Sequence, residues 1–159
     1  LDDDTKTLLE ALEVVYAFSM QRRHMRFADL EGYEPGPYSP RNPAQMDFPD
    51  FPEVIYPAVV THPTTGRKVL EICELMLDRI HAPHRAGLSN DEALDLLQSL
   101  VDHIRKPEFH YFHRWEPGDI ILWDNWRAMH CATGTPPGTE RLIHRTTIEG
   151  DACLGRVLD

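Results

Sequence analysis

The leucines Leu8, Leu9 and Leu12 recur at helical spacing behind an acidic start, Asp2-Asp3-Asp4, whose charges suit the positive end of a helix. The pattern predicts a short helix over residues 2–12 that stops near Glu13. There the rhythm becomes alternating, Val14, Tyr16 and Phe18 against Val15, Ala17 and Ser19, and branched and aromatic side chains favour a strand over continued helix. Six of the 13 prolines crowd into residues 31–52, removing backbone donors and forbidding regular helix or central strand, so a long loop is expected. Residues 54–61 and 68–73 read as two strands of a hairpin around the turn signal His62-Pro63-Thr64-Thr65-Gly66. Ser89-Asn90-Asp91-Glu92 is a capping box, in which hydroxyl and carboxylate reciprocally satisfy free backbone N–H groups at a helix start. Ala93, Leu97, Leu100, Val101 and Ile104 continue it as one apolar face until Pro107. Beyond it four short strands are expected, at 109–115, 120–123, 129–133 and 141–148, with Pro/Gly turns at 116–119 and 134–138. Closely spaced strands with tight turns and inserted helices predict a mainly β fold, a sandwich or jelly roll rather than a parallel α/β sheet.

Composition narrows the role. The 159 residues suit one domain, and 42% hydrophobic with 26% charged residues is ordinary soluble composition, able to bury a core without disulfide or metal staples. With 26 acidic against 16 basic side chains the formal charge is −10, which repels phosphate backbones and anionic lipid, so neither nucleic acid nor a membrane surface is an expected partner. Cys73, Cys131 and Cys153 are few, widely spaced and without Cys-x-x-Cys, which fits a reducing cytoplasm rather than a disulfide framework or zinc ribbon. The chain opens on Leu1 with no basic-then-apolar leader, and a missing initiator Met makes it read as a piece of something longer. Oligomeric state is not legible, and a homo-oligomer is left open.

Nine histidines raise the question of metal binding. His110 and His113 lie three apart on an expected strand and so point to opposite faces. His81 and His84 could chelate one ion only from a flexible loop, while His24, His62, His103 and His144 read as solitary structural groups. His103 falls in the last turn of the expected helix, where a partly cationic ring is favourable. His130 is set apart by two arginines downstream of it. Arg141 and Arg145 are an even four residues apart, so on a pleated strand they share a face with Ile143 between them. In a symmetric hairpin His130 stands opposite Ile143, with each arginine a diagonal neighbour at about 7–8 Å. A small dianion could bridge that gap, one carboxylate on a metal held by His130 and the other in the planar fork of a guanidinium. The plainer alternative is a solvent-facing strand with two surface arginines.

The run from Trp115 through Glu116-Pro117-Gly118-Asp119 to Trp123-Asp124-Asn125, then His130, then Arg141-Leu142-Ile143-His144-Arg145-Thr146-Thr147-Ile148, resembles the C-terminal signature of the taurine and 2,4-dichlorophenoxyacetate dioxygenase family. Val59-Val60-Thr61-His62-Pro63 with Gly66, and Lys106-Pro107-Glu108-Phe109, are similar to it as well. The likeness is strong from Tyr56 to Asp151 and weaker across Leu1 to Phe18.

The resemblance implies a double-stranded β-helix (jelly roll) oxygenase using iron(II) and the cosubstrate 2-oxoglutarate, with molecular oxygen, to hydroxylate a small, anionic organic substrate, releasing succinate and carbon dioxide. Iron in this family sits in a 2-His-1-carboxylate triad, which leaves three positions open. By the match His130 is the distal histidine ligand, Arg141 binds the distal carboxylate of 2-oxoglutarate, and Arg145 meets an anionic group of the substrate or supports the cosubstrate. Trp123 would pack beside the metal or fill apolar core. The family's other two ligands come as His-x-Asp, which these 159 residues do not contain, so they are expected upstream of Leu1, with the chain covering the C-terminal half of one oxygenase domain. Cys73-Glu74-Leu75-Met76 departs from relatives that carry Asn and an aromatic residue there, leaving Met76 as either pocket lining or core. The Pro-rich loop, residues 31–52 with Tyr33, Tyr38, Met46 and Phe48, is the expected lid. Two competing readings remain, a non-catalytic jelly-roll binding or assembly module and a metal-independent anion-binding protein.

Overall fold

The computed structural model of the chain describes residues 1–18, 25–28, 51–131, 138–148, 150 and 154–158. The first helix, α1 (Asp3–Glu10), starts where the acidic run ends: the Asp2 carboxylate accepts from the Thr5 N–H at 2.7 Å, and this bond lowers its pKa. Leu9 is buried at its inner face and the chain turns directly into β1 (Glu13–Tyr16).

β1 is an inner strand of a four-stranded sheet in the order β5-β1-β2-β6, with β2 (Val54–Pro57), β5 (Leu77–Ile80) and β6 (Arg156–Val157) all joined antiparallel. A separate hairpin pairs β3 (Val59–Thr61) with β4 (Lys68–Leu70). The hairpin is the one expected, its turn closed by the Gly66 N–H on the His62 carbonyl at 2.9 Å, with Gly66 at φ 69. The single strand expected over 54–61 is instead two. Pro57 brings no N–H to a ladder, and the next residue, fully buried Ala58, donates to the Leu12 carbonyl and accepts from the Glu71 N–H, both at 2.9 Å. One residue thus hands the chain from one sheet to the other.

β5 and β6 are absent from the sequence-based expectation, for identifiable reasons. Leu77 and Ile80 are both buried although three apart, because the register shifts against Val15 and Tyr16 and leaves Asp78 as an extra residue. That bulge erases the period-two pattern. β6 is two exposed residues, held by a bidentate Arg156–Glu13 ion pair and by Gly155, where a Cβ would meet the Tyr56 ring at 2.5 Å. Arg79 of β5 grips Glu53 with both guanidinium nitrogens, at 2.8 and 2.6 Å, tying β5 to the approach of β2. Each arginine lowers the pKa of its carboxylate partner.

The second helix, α2 (Asn90–Ile104), keeps its capping box: the Glu92 N–H donates to Ser89 Oγ, and the Ser89 N–H donates to Glu92 Oε2 at 2.8 Å. Ala93, Leu97, Leu100 and Val101 are buried with Leu9, Leu12, Val14, Ile72, Leu77 and Ile80 in one core. Burying a large aliphatic side chain contributes roughly 1.5–3 kcal/mol, so this face of α2 is the main clamp on the sheet. His103 departs from the expectation of a partly cationic ring. Burial, then the chain's N-terminal charge and Lys106, lower its pKa, with Phe109 at a ring-centroid distance of 5.0 Å.

The four strands expected beyond Pro107 are corrected by the structure. Residues 107–109 form a short 3-10 turn, and the described residues of 110–131 and 138–148 carry no strand. Ile120, Leu122, Leu142 and Ile148 are 80–93% exposed, so the apolar positions that signalled strands find no ladder partner and no core among the described residues. Two small β-sheets and two α-helices are therefore the described architecture. Residues 31–50, with the expected lid, lie outside the described residues, as do His24, Cys153 and the 134–137 turn. No helix of the described residues is long and apolar enough to cross a membrane.

Candidate functional site

Asp124 organises the segment that carries His130. Its Oδ1 accepts from the Trp126 N–H at 2.9 Å, and its carbonyl accepts from the N–H groups of Arg127 and Ala128 at 3.1 and 3.0 Å. This Asx-type turn delivers Met129 and His130 two residues later. Trp123, just before the turn, is half-buried, donates its indole N–H to Asn125 Oδ1 at 2.8 Å and lies tilted against the His130 ring at 5.0 Å.

Arg145 closes the other side of that imidazole, its guanidinium 3.1 Å from His130 Nε2. Arginine is always a donor, so Nε2 carries the lone pair and Nδ1 the proton. The hairpin that would set His130 opposite Ile143 is not formed by the described residues, and the contact to Arg145 is made without a β ladder. Of the expected set, the structure joins His130, Arg145 and Trp123. Arg141, like His130 and Arg145, is exposed, and it is engaged in interactions of its own.

Among the described residues no three His, Cys, Asp or Glu side chains converge to hold a metal ion. His130 offers one imidazole nitrogen of the right chemistry, already oriented toward a cationic partner, and the described residues do not complete an iron shell. His113 is engaged by Asp119 at 2.9 Å and by Tyr111 at 3.1 Å.

His62 is the hydrogen-bonded structural histidine expected from the sequence, but its link to Asp124 is not foreseen there. It is 5% exposed, accepts the N–H groups of Thr64 and Thr65 at Nδ1, both at 3.2 Å, and meets Asp124 Oδ2 through Nε2 at 2.7 Å. That bond and the Trp126 N–H lower the Asp124 pKa. Beside it opens a cleft of about 310 Å³ lined by Thr65, Arg67, Lys68, Val69, Leu70 and Arg127. The signal lay in Thr-His-Pro-Thr-Thr-Gly, a tight turn whose N–H groups fold back on the ring, but its partner stands 62 residues away.

Residues 1–147 match the family model described as taurine catabolism dioxygenase TauD, TfdA family. The chain is 33% identical over 151 residues to an (S)-phenoxypropionate/alpha-ketoglutarate-dioxygenase of Sphingobium herbicidovorans, covering 95% of this chain and 48% of that protein. It is 38% identical over 104 residues, 65% of this chain and 34% of the relative, to an alpha-ketoglutarate-dependent 2,4-dichlorophenoxyacetate dioxygenase of Cupriavidus pinatubonensis. An alpha-ketoglutarate-dependent sulfate ester dioxygenase of Pseudomonas putida is 31% identical over 106 residues, 65% of this chain and 32% of that protein. The chain thus spans half or less of the length of these relatives. No solved structure gave a significant match.

Proposed function

Because the chain belongs to the taurine catabolism dioxygenase TauD, TfdA family, we propose that it works in an iron(II)- and 2-oxoglutarate-dependent dioxygenase that hydroxylates a small anionic organic substrate, releasing succinate and carbon dioxide. The observation that carries this reading is that the match runs to residue 147, and so through His130, Arg141 and Arg145 together. Relatives named for phenoxypropionate, 2,4-dichlorophenoxyacetate and sulfate esters support a substrate bearing a carboxylate or sulfate. The β-rich architecture is compatible with a jelly roll, of which this chain contributes the C-terminal part.

In this reading His130 would be one iron ligand, and the remaining two, His-x-Asp in kind, would come from polypeptide other than these 159 residues. Iron would bring dioxygen and 2-oxoglutarate together at one centre. The side chains of this chain do the orienting. Arg141 takes the distal carboxylate of 2-oxoglutarate through a two-pronged, charge-assisted contact. Arg145, whose guanidinium lies beside His130, would offer its donors to the anionic group of the substrate. Trp123 supports the imidazole ring from its flank. In a chain of overall charge −10, the guanidinium groups of Arg141 and Arg145 favour an anionic substrate at this place.

Oxygen consumption by the full-length protein, supplied with iron(II) and 2-oxoglutarate and offered aryloxy acids, sulfate esters and sulfonates, tests the reading. Succinate should form in step with loss of one of these substrates. A full-length protein that neither binds 2-oxoglutarate in the presence of iron(II) nor consumes oxygen with any of them is not such an enzyme.

A further inference from the structure

His62 is the one buried polar residue among the described residues, and every polar atom of its ring is engaged. Two backbone N–H groups point at Nδ1, so that nitrogen holds the lone pair, Nε2 holds the proton, and the imidazole donates to Asp124. The β3–β4 turn therefore selects the tautomer, and the tautomer grips a carboxylate 62 residues further along the chain. Asp124 passes the grip on: its other oxygen and its carbonyl hold the N–H groups of Trp126, Arg127 and Ala128. His130 comes after that turn, and Trp123, which flanks the His130 ring, precedes it.

We propose that His62 is a positioning residue for His130, pinning the 123–130 segment to the β3–β4 hairpin through Asp124. The inference rests on the oxygenase reading for what His130 does, and on geometry alone for the pin. No strand ladder ties residues 110–131 to either sheet among the described residues, so side-chain bonds must fix where this segment sits. A buried imidazole N–H that loses its acceptor incurs a desolvation penalty, which makes the His62–Asp124 bond hard to break and the turn hard to displace. A ligand histidine held within a few tenths of an ångström binds metal better than one free to wander, because less freedom is lost on binding.

The test compares wild type, His62→Leu and His62→Gln in the full-length protein. Glutamine keeps a donor near the place of Nε2, whereas leucine fills the site without one. Hydrogen exchange measured by mass spectrometry should show residues 120–131 exchanging at least tenfold faster in His62→Leu, with α2 unchanged. Iron(II) should bind that variant about tenfold more weakly, and His62→Gln should recover most of both effects. Asp124→Asn, at a more exposed side chain, should move both readouts in the same direction and replaces His62→Leu if that variant fails to fold. Exchange that rises equally in α2, or iron(II) affinity that stays at the wild-type value in His62→Leu and Asp124→Asn, overturns the pin. Wild-type protein that binds no iron(II) overturns the oxygenase reading instead, and with it the metal-positioning role of His62.

Discussion

Arg141 and Arg145 stand four residues apart, yet the structure puts the Arg145 guanidinium on the His130 ring and leaves Arg141 to other contacts. Their proposed division of labour is separable by kinetics. Arg141→Ala should raise the 2-oxoglutarate KM roughly 10- to 150-fold, the loss of a charge-assisted bond of about 1.5–3 kcal/mol, while Arg145→Ala should raise the KM of the prime substrate more. Steady-state kinetics showing the opposite split would exchange the two assignments. Tyr16 offers a second test at this scale. Burial pushes its pKa up to about 12, and its hydroxyl accepts from the Cys73 N–H at 3.1 Å and donates to the Glu71 carbonyl. The folded form keeps the phenol proton that the unfolded chain releases near pH 10, so the stability this confers is full below pH 10 and is lost as pH rises toward 12. That offset is worth roughly 2–3 kcal/mol. Urea midpoints across this range should fall steeply in wild type and less so in Tyr16→Phe, which starts from a lower stability at neutral pH because the Cys73 N–H loses its acceptor.

At the scale of elements, α2 is the most legible part of the chain, since cap, apolar face and terminating proline all agree. Ser89→Ala should cost about 1 kcal/mol and lower Tm by roughly 2–4 °C by thermal melting. Leu97→Ala, which empties a fully buried site, should cost about 2–5 kcal/mol. The hairpin is legible for the same reason, because turn chemistry and alternation coincide around Gly66. Other elements are hidden by tertiary effects. The Asp78 bulge masks β5, Ala58 splits an apolar run that looks continuous, and β6 is too short to have a period. In the segments after Pro107 the apolar alternation is real, but strands need neighbours, and the described residues provide none. The candidate site shows the same division. His130 and Arg145 can be found by resemblance, whereas the hairpin register argued for them is not what brings them together. The turn that holds the His62 ring is legible in the sequence, but its bond to Asp124 is not, because that partner lies 62 residues further along the chain.

For the molecule as a whole, the carboxylates that tie distant segments set its response to acid. Glu13 is held by Arg156 and Glu53 by Arg79, and both have folded pKa values lowered below the usual 4.5. Their contribution is therefore complete above the unfolded pKa and lost as pH falls through the lowered folded values. Exchange at β6 should rise in acid before exchange at α2 does, and Glu13→Gln should bring on that early opening at neutral pH. Simultaneous opening of β6 and α2 on acidification would show that these pairs do not govern the edge of the sheet.

The 37 residues between Tyr16 at the end of β1 and Val54 at the start of β2 join two strands that are direct neighbours. Closing such a connection costs entropy that grows only logarithmically, about 0.6 kcal/mol for each doubling of its length. Changes in the length of this stretch therefore cost the scaffold little, whereas Phe27 and Ala28, buried in the core, and Glu53, held by Arg79, are not free to change. The residues that grip the turn before His130 have no such latitude, since each of their bonds fixes where that segment sits.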